Sequence, residues 1–280
     1  MGAGYVGTGI GSFVALGDSF TEGMGDPHED GSGLRGWADR FAERLAAGRP
    51  AFRYANLAVR GKRLREVAAE QIPLAVAMRP DLVSFFAGGN DLLWIRTDPD
   101  VLAQQADEAV TDLRRAGSEV LLFTGFDPQA FPGLRLIRGK VAAFNVHLRA
   151  IAQGRGCYLA DMWSMSMLAD PREWSPDRLH LAADGHRRMA LLACEVIGAE
   201  VSEDWREPLT DRPAGGAWLA RTASWLGARG SDARWARDHA APWLVRRLRG
   251  VSAGDGMPPK RPQLAPYYDS GRSAGVGITL

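Results

Sequence analysis

Cysteine is nearly absent: Cys157 and Cys194 are the only two in 280 residues, too few to staple a scaffold of this length. Each falls among apolar neighbours, one in an expected strand and one in an expected helix. Both read as small core residues of a protein kept in a reducing compartment. Long apolar runs are missing as well. No stretch of about 18 apolar residues occurs, which leaves no candidate membrane-spanning helix. Met1-Gly2-Ala3-Gly4-Tyr5-Val6 has neither the basic flank nor the apolar centre of a secretory signal, and Val6 stands where N-myristoylation requires Ser or Thr. A cytoplasmic location is the expectation. Charge of one sign is also lacking: 34 Lys+Arg against 33 Asp+Glu leave a formal net charge of +1. Without a clustered basic footprint, no nucleic-acid partner is expected.

What is present is an alternation. Apolar runs at residues 12–16, 52–57, 82–86, 120–124 and 157–159 read as strands, with helical stretches between them. Residues 36–47 place Trp37, Phe41 and Leu45 on one helix face. Residues 62–78 carry Leu64, Val67, Ala68 and Ile72 on one side, with Pro73 as a kink. Asp98-Pro99 opens a helix that runs to Ala116 and is closed by Gly117. Residues 133–154 show Leu134, Ile137, Val141, Phe144, Leu148 and Ile151 at helical spacing, with Asn145 and His147 as structural or surface groups. A last helix is expected over residues 184–197. Five parallel strands with crossover helices on both faces make an α/β fold, a three-layer α/β/α sandwich.

One stretch stands out chemically. The apolar run Phe13-Val14-Ala15-Leu16 stops at Gly17-Asp18-Ser19-Phe20-Thr21-Glu22-Gly23, so Ser19 sits just past a strand end, where open α/β sheets place their ligands. A serine hydroxyl needs a base in contact, and a third group to orient that base. Of the five histidines, His180 lies three residues after Asp177, a spacing that lets one turn present the carboxylate to Nδ1 while Nε2 faces elsewhere. Taken alone, the pair is equally a local turn contact. Developing negative charge would need fixed donors. Gly61, in Asn56-Leu57-Ala58-Val59-Arg60-Gly61, and Asn90, in Ala87-Gly88-Gly89-Asn90-Asp91, both follow strands. Each is equally readable as a turn residue. Asp18 is expected to accept the backbone hydrogen bonds that fix the turn.

Two other chemistries fail. Gly7-Thr8-Gly9-Ile10-Gly11 precedes the first strand, whereas a dinucleotide fingerprint must follow it. Asp26, His28, Glu29 and Asp30 are crowded loop acids around Pro27 and read as solvated surface. Neither a metal nor a cofactor is expected.

Taken in order, the four stretches around Ser19, Gly61, Asn90 and His180 resemble the four blocks of the SGNH/GDSL hydrolases, a family of serine esterases and lipases, over residues 12–198. The resemblance implies strand order 2-1-3-4-5, as in flavodoxin-like folds, and no cofactor. It makes Ser19 the nucleophile, His180 the acid/base and Asp177 its partner, with an oxyanion hole of Ser19, Gly61 and Asn90. Phe20 replaces the leucine of the family's nickname. The opening block and Gly36-Trp37-Ala38-Asp39-Arg40 look most like intracellular actinobacterial members. A small acyl ester is the implied substrate, with Leu93, Trp94, Ile95 and Leu181 as candidate lining. The implied domain spans residues 1–200. Trp205, Trp218, Trp225, Trp235 and Trp243 mark an expected Trp/Arg-rich helical extension over 201–249, and residues 250–280 an extended or disordered tail. A catalytically silent binding module acting through that extension, on a protein or a membrane surface, is the competing expectation.

Overall fold

β1 (Ser12–Gly17) is the innermost strand, buried along its whole length. It pairs in parallel with β2 (Arg53–Asn56) on one side and β3 (Leu82–Phe86) on the other. Beyond β3 come β4 (Glu119–Phe123) and β5 (Tyr158–Ala160), also parallel. This computed structural model describes residues 9–131, 134–201, 203–207 and 252–267. Trp218, Trp225, Trp235 and Trp243, with the helical extension expected around them, lie outside the described residues.

The strand order 2-1-3-4-5 is the expected one, but the sheet has a sixth member. β6 (Arg261–Pro266) runs antiparallel along the outer edge of β2, with Tyr54 opposite Ala265 and Asn56 opposite Arg261. The five-stranded, all-parallel sheet expected from sequence is therefore corrected, and the expected tail carries the sixth strand. Its pattern was hidden by Pro262 and Pro266, which lack an N–H and are tolerated only on an edge. An edge strand also has no need of a continuous apolar run.

The helices are α1 (Ser19–Glu22), α2 (Gly36–Ala46), α3 (Leu64–Glu70), α4 (Ile72–Met78), α5 (Gly89–Leu92), α6 (Pro99–Arg115), α7 (Arg138–Arg155) and α8 (Ala183–Val196). Because strand side chains alternate faces, each inner strand feeds two cores. Phe13, Ala15, Leu82, Leu121 and Phe123 pack with Trp37 and Phe41 of α2 and with Met189 and Cys194 of α8. Val14, Leu16, Val83, Phe85, Val120 and Leu122 pack with the second helical layer, α3, α4, α6 and α7. Burial on both faces is why these strands read as unbroken apolar runs. Phe13 meets Phe41 edge-on at 5.1 Å and stacks on Tyr54 at 5.4 Å, contacts worth about 1 kcal/mol each beyond area alone.

The single kinked helix expected over residues 62–78 is two helices. Gln71 ends α3 and caps α4, while Pro73 falls in the first turn of α4, where no N–H is needed. The break frees the Gln71 side chain to turn inward, where it is 3% exposed. In α6, Asp98 accepts the Asp100 N–H at 2.9 Å and Pro99 opens the helix, as expected. A 3-10 turn over Arg135–Ile137 precedes α7 and delays its start. Cys194 is buried, Cys157 is half-buried, and both are free thiols. Trp205 joins the α2/α8 core, its indole N–H donating to Glu195 at 2.7 Å. No helix among the described residues is long and apolar enough to cross a membrane.

Candidate active site

The site is built where β1 stops. Gly17 has φ +151°, and a Cβ there would lie 2.4 Å from the Phe86 carbonyl oxygen and 2.7 Å from Thr21 Oγ1, so only glycine fits. The buried Gln71 amide pairs with both backbone groups of Gly17. Its oxygen accepts the Gly17 N–H and its nitrogen donates to the Gly17 carbonyl, each at 2.9 Å. Asp18 then caps the four-residue α1. Its side chain accepts from Phe20 N–H at 3.2 Å, and its carbonyl accepts from Thr21 and Glu22. Ser19 opens α1 and is 7% exposed.

The partner loop lies far along the chain, with His180 161 positions after Ser19. Trp174 and Leu181 form an antiparallel bridge, and the Ser175 N–H donates to the His180 carbonyl at 2.8 Å. Within this turn Asp177 Oδ1 accepts from Ser175 Oγ at 2.6 Å, from Leu179 N–H at 2.9 Å and from His180 N–H at 3.0 Å. Oδ2 faces His180 Nδ1 at 2.6 Å. Burial raises the Asp177 carboxyl, but the bonds from His180 and Ser175 outweigh it and hold the group well below the usual carboxylate range. An ionised carboxylate only accepts, so Nδ1 carries the proton and Nε2 is left as an acceptor. Ser19 Oγ lies 2.9 Å from that Nε2.

Ser19 and Gly61, which line the same cavity, each carry a backbone N–H. Neither donates to any acceptor among the described residues. Asn90 differs from the expectation of a ready donor. Its amide nitrogen donates to Asp18 Oδ2 and to the Lys62 carbonyl, both at 3.0 Å. Burial pushes Asp18 up to about 7, against the Phe20 N–H, His180 and Asn90, which lower it. Asn90 thus reaches the serine turn through Asp18.

These groups open on a cavity of about 380 Å³. It is lined by Ser19, Gly61, Asn90 and His180 and by apolar side chains, among them Leu134 ahead of α7 and Val141, Phe144 and Leu148 on it. Leu93 lines it as expected. Three other expected lining residues do not. Ile95 is 92% exposed, beyond the end of α5. Trp94 lies outside the lining, its ring under the Arg63 guanidinium at 4.7 Å. Leu181 is 0% exposed, because its place in the Trp174 bridge turns it into the α2/α8 core.

Two other histidines are placed elsewhere. His186, on α8, is fully buried; Nδ1 accepts the Trp37 N–H at 3.1 Å and Nε2 donates to the Met24 carbonyl at 2.9 Å. Burial lowers its pKa to about 4, so it is a neutral strut. His147 meets Asp100 at 2.7 Å on the surface. Asn145 is structural: its amide pairs with the Gly125 N–H and carbonyl, each at 2.8 Å, at the end of β4. Asp26 is committed to Arg40, at 2.8 and 3.0 Å, and to the Gly36 N–H.

Sequence reasoning missed two supports of this site, Gln71 and Glu22, and gave Asn145 a structural or surface role without its partner. Gln71 and Asn145 fix strand ends. Glu22, inside the serine block, grips Arg60 by accepting its backbone N–H at 2.8 Å and its guanidinium, which binds the serine turn to the Gly61 loop. The one available signal was the position of Glu22 and Arg60 inside the two blocks already singled out.

A mostly parallel sheet ending on a seryl hydroxyl beside an imidazole and an apolar cavity defines the class: the protein is a serine ester hydrolase. Residues 15–188 match the GDSL-like lipase/acylhydrolase profile, and the chain belongs to that family. Solved structures with the same fold include LAE5, an α/β hydrolase from the metagenome of Lake Arreo, Spain, at 21% identity and TM-score 0.56, covering 69% of this chain and 97% of that one. An acetyl xylan esterase from Geobacillus stearothermophilus is 19% identical with TM-score 0.56, over 70% of this chain and 98% of that one. A lipase from a goat rumen metagenome is 19% identical with TM-score 0.57, over 68% and 98% respectively. No curated protein matches the chain.

Proposed function

We propose that this chain hydrolyses carboxylic esters through an acyl-enzyme formed on Ser19. The observation that carries the reading is the unbroken run of polar contacts Ser19 Oγ, His180 Nε2, His180 Nδ1, Asp177 Oδ2 in the lining of a mainly apolar cavity. In the first step Ser19 Oγ attacks the acyl carbon while Nε2 takes its proton, and ionised Asp177 stabilises the imidazolium that results. The oxyanion is met by the Ser19 and Gly61 N–H groups and by Asn90, which trades one of its present acceptors for the new charge. Nε2 then gives its proton to the departing alcohol. Water repeats the sequence on the acyl-enzyme, with His180 as base, and restores Ser19 Oγ.

The cavity lining supports an acyl group seated in it. A pocket walled by Leu, Val and Phe along α7 fits an alkyl chain of several carbons better than an acetyl group or a sugar. A thioester presents the same acyl carbon and falls within the reading. We place the hydrolase domain at residues 1–200 and its action in the cytoplasm, for which the unbridged cysteines are the support. The likeness of the serine block to intracellular actinobacterial members belongs to the same proposal.

A fluorophosphonate probe tests it. Labelling should occur once, at Ser19, and disappear in Ser19→Ala, which should fold normally and lose nearly all esterase turnover. Wild-type-like hydrolysis by Ser19→Ala ends the nucleophile assignment, and an unlabelled, inactive wild-type chain leaves the binding-module alternative standing.

A further inference from the structure

Residues 252–267 lie beyond the 15–188 stretch matched by the family profile, yet they return to the rim of the site. Two anchors hold them there. β6 pairs with β2, and Lys260 Nζ donates to the Leu34 carbonyl at 3.0 Å and to the Arg35 carbonyl and Asp39 Oδ2, each at 2.8 Å. Those three acceptors use all three ammonium hydrogens. Ahead of the anchors, residues 252–257 form a turn in which the Ser252 N–H donates to Asp255 Oδ2 at 2.8 Å and the Gly254 N–H to Ser252 Oγ at 3.2 Å.

The turn lies directly on the Gly61 loop. Ser252 Oγ donates to the Arg60 carbonyl at 3.1 Å. A Cβ on Gly254 would stand 2.3 Å from the same Arg60 oxygen and 2.6 Å from Val59 Cγ1. From the other side, Gly61 has φ +77°, and a Cβ on it would stand 2.2 Å from Ser252 Oγ. Ala253 completes the cavity wall next to these groups. Arg60 is therefore held on both sides: its N–H and guanidinium by Glu22, on the serine helix, and its carbonyl, which shares a peptide with the Gly61 N–H, by Ser252, nearly two hundred residues further along the chain.

We propose that Ser252 and Gly254 are positioning residues for the Gly61 N–H, so that a segment outside the family's matched stretch completes the oxyanion hole. This rests on the reading of Gly61 as an oxyanion donor. Such a donor helps only if it is fixed before charge develops, because reorganisation at the moment of reaction would consume its benefit. A loop peptide outside the sheet has no ladder to fix it. The turn supplies that constraint with one hydrogen bond and a contact too close for any side chain.

The test compares full-length Ser252→Ala and Gly254→Ala with wild type on p-nitrophenyl butanoate. Ser252→Ala should lower kcat about tenfold, and Gly254→Ala, whose methyl must push the loop, up to about a hundredfold, the scale of a 1 Å misplacement. KM should stay within about twofold, since the lost interaction is made in the transition state. Affinity for a trifluoromethyl ketone analogue should fall by the same factors as kcat. Unchanged kcat in Ser252→Ala, or a loss of melting temperature without a change in kcat or analogue affinity, overturns the proposal. If Gly254→Ala fails to fold, Ser252→Ala, which removes a single oxygen, decides alone. Ser19→Ala assayed alongside separates the two levels. Activity in Ser19→Ala sinks the functional reading, whereas an inactive Ser19→Ala beside a kinetically normal Ser252→Ala sinks the positioning role only.

Discussion

Lengthening the acyl chain of a p-nitrophenyl ester should raise kcat/KM until the cavity is full. The cavity of about 380 Å³ has room for roughly a dozen groups of water size at ~30 Å³ each, more than a reacting ester head requires. Each methylene moved from water onto the Leu134, Val141, Phe144 and Leu148 walls is worth about 0.8 kcal/mol, which is about fourfold in kcat/KM. From acetate to octanoate the six added methylenes give an upper limit of about three and a half orders of magnitude. The assay is a series of straight-chain esters from two to ten carbons at fixed pH, below the concentration at which the longest aggregates. Val141→Phe, which projects a ring into the cavity from α7, should leave acetate turnover within a few-fold of wild type and depress octanoate, moving the optimum to shorter chains. A preference for acetate that declines with length in wild type, or a Val141→Phe profile that overlays it, would show that the acyl chain does not occupy this cavity.

Three further outcomes are expected. Asn90→Ala should lower kcat by about 100- to 1000-fold with the fold intact, and a change confined to KM would make Asn90 a ground-state contact instead. His180→Gln should abolish esterase activity while His186→Gln keeps it, and the opposite pattern would put the wrong histidine at the serine. His186 also sets a pH effect. Its folded pKa of about 4 lies below the ordinary 6.5, so the unfolded chain binds the extra proton. Its contribution is complete above about 6.5 and is lost as pH falls toward 4, by roughly 3 kcal/mol in all. Urea unfolding of wild type and His186→Gln at pH 7 and pH 4.5 reads this directly: the wild-type advantage should shrink at the lower pH, and an advantage that persists unchanged refutes it.

The parts of the site that were legible in the sequence are those whose chemistry is local. Gly17-Asp18-Ser19 could be read because a strand end, a glycine-only conformation and a capping carboxylate lie in three consecutive residues. Asp177 and His180 could be read because three residues of turn suffice to bring carboxylate and ring together. Whatever depends on a distant partner stayed hidden. Gln71 looked like one more polar residue in a helix until the helix broke and its amide met Gly17, 54 positions away. Ile95 and Leu181 were apolar neighbours of proposed site residues, and only the docking of α5 and of the Trp174 bridge turned one to solvent and the other to the core. β6 was unreadable for the same reason: an edge strand takes its conformation from β2 rather than from its own pattern.

The amides of Gln71 and Asn145 carry a consequence of their own. Each stands in for a missing strand residue, offering one donor and one acceptor to a glycine at the end of β1 or β4. Neither titrates, so the two strand ends keep their bonds across the whole pH range in which Asp18 and His186 change charge. That constancy depends on a group that water slowly destroys. Deamidation would turn either residue into a carboxylate, which has no hydrogen to offer the glycine carbonyl and sets negative charge against it. One such event beneath Gly17 would loosen the turn that carries Ser19 while leaving every side chain lining the cavity untouched. Chemical ageing would then remove function from a molecule that still looks folded.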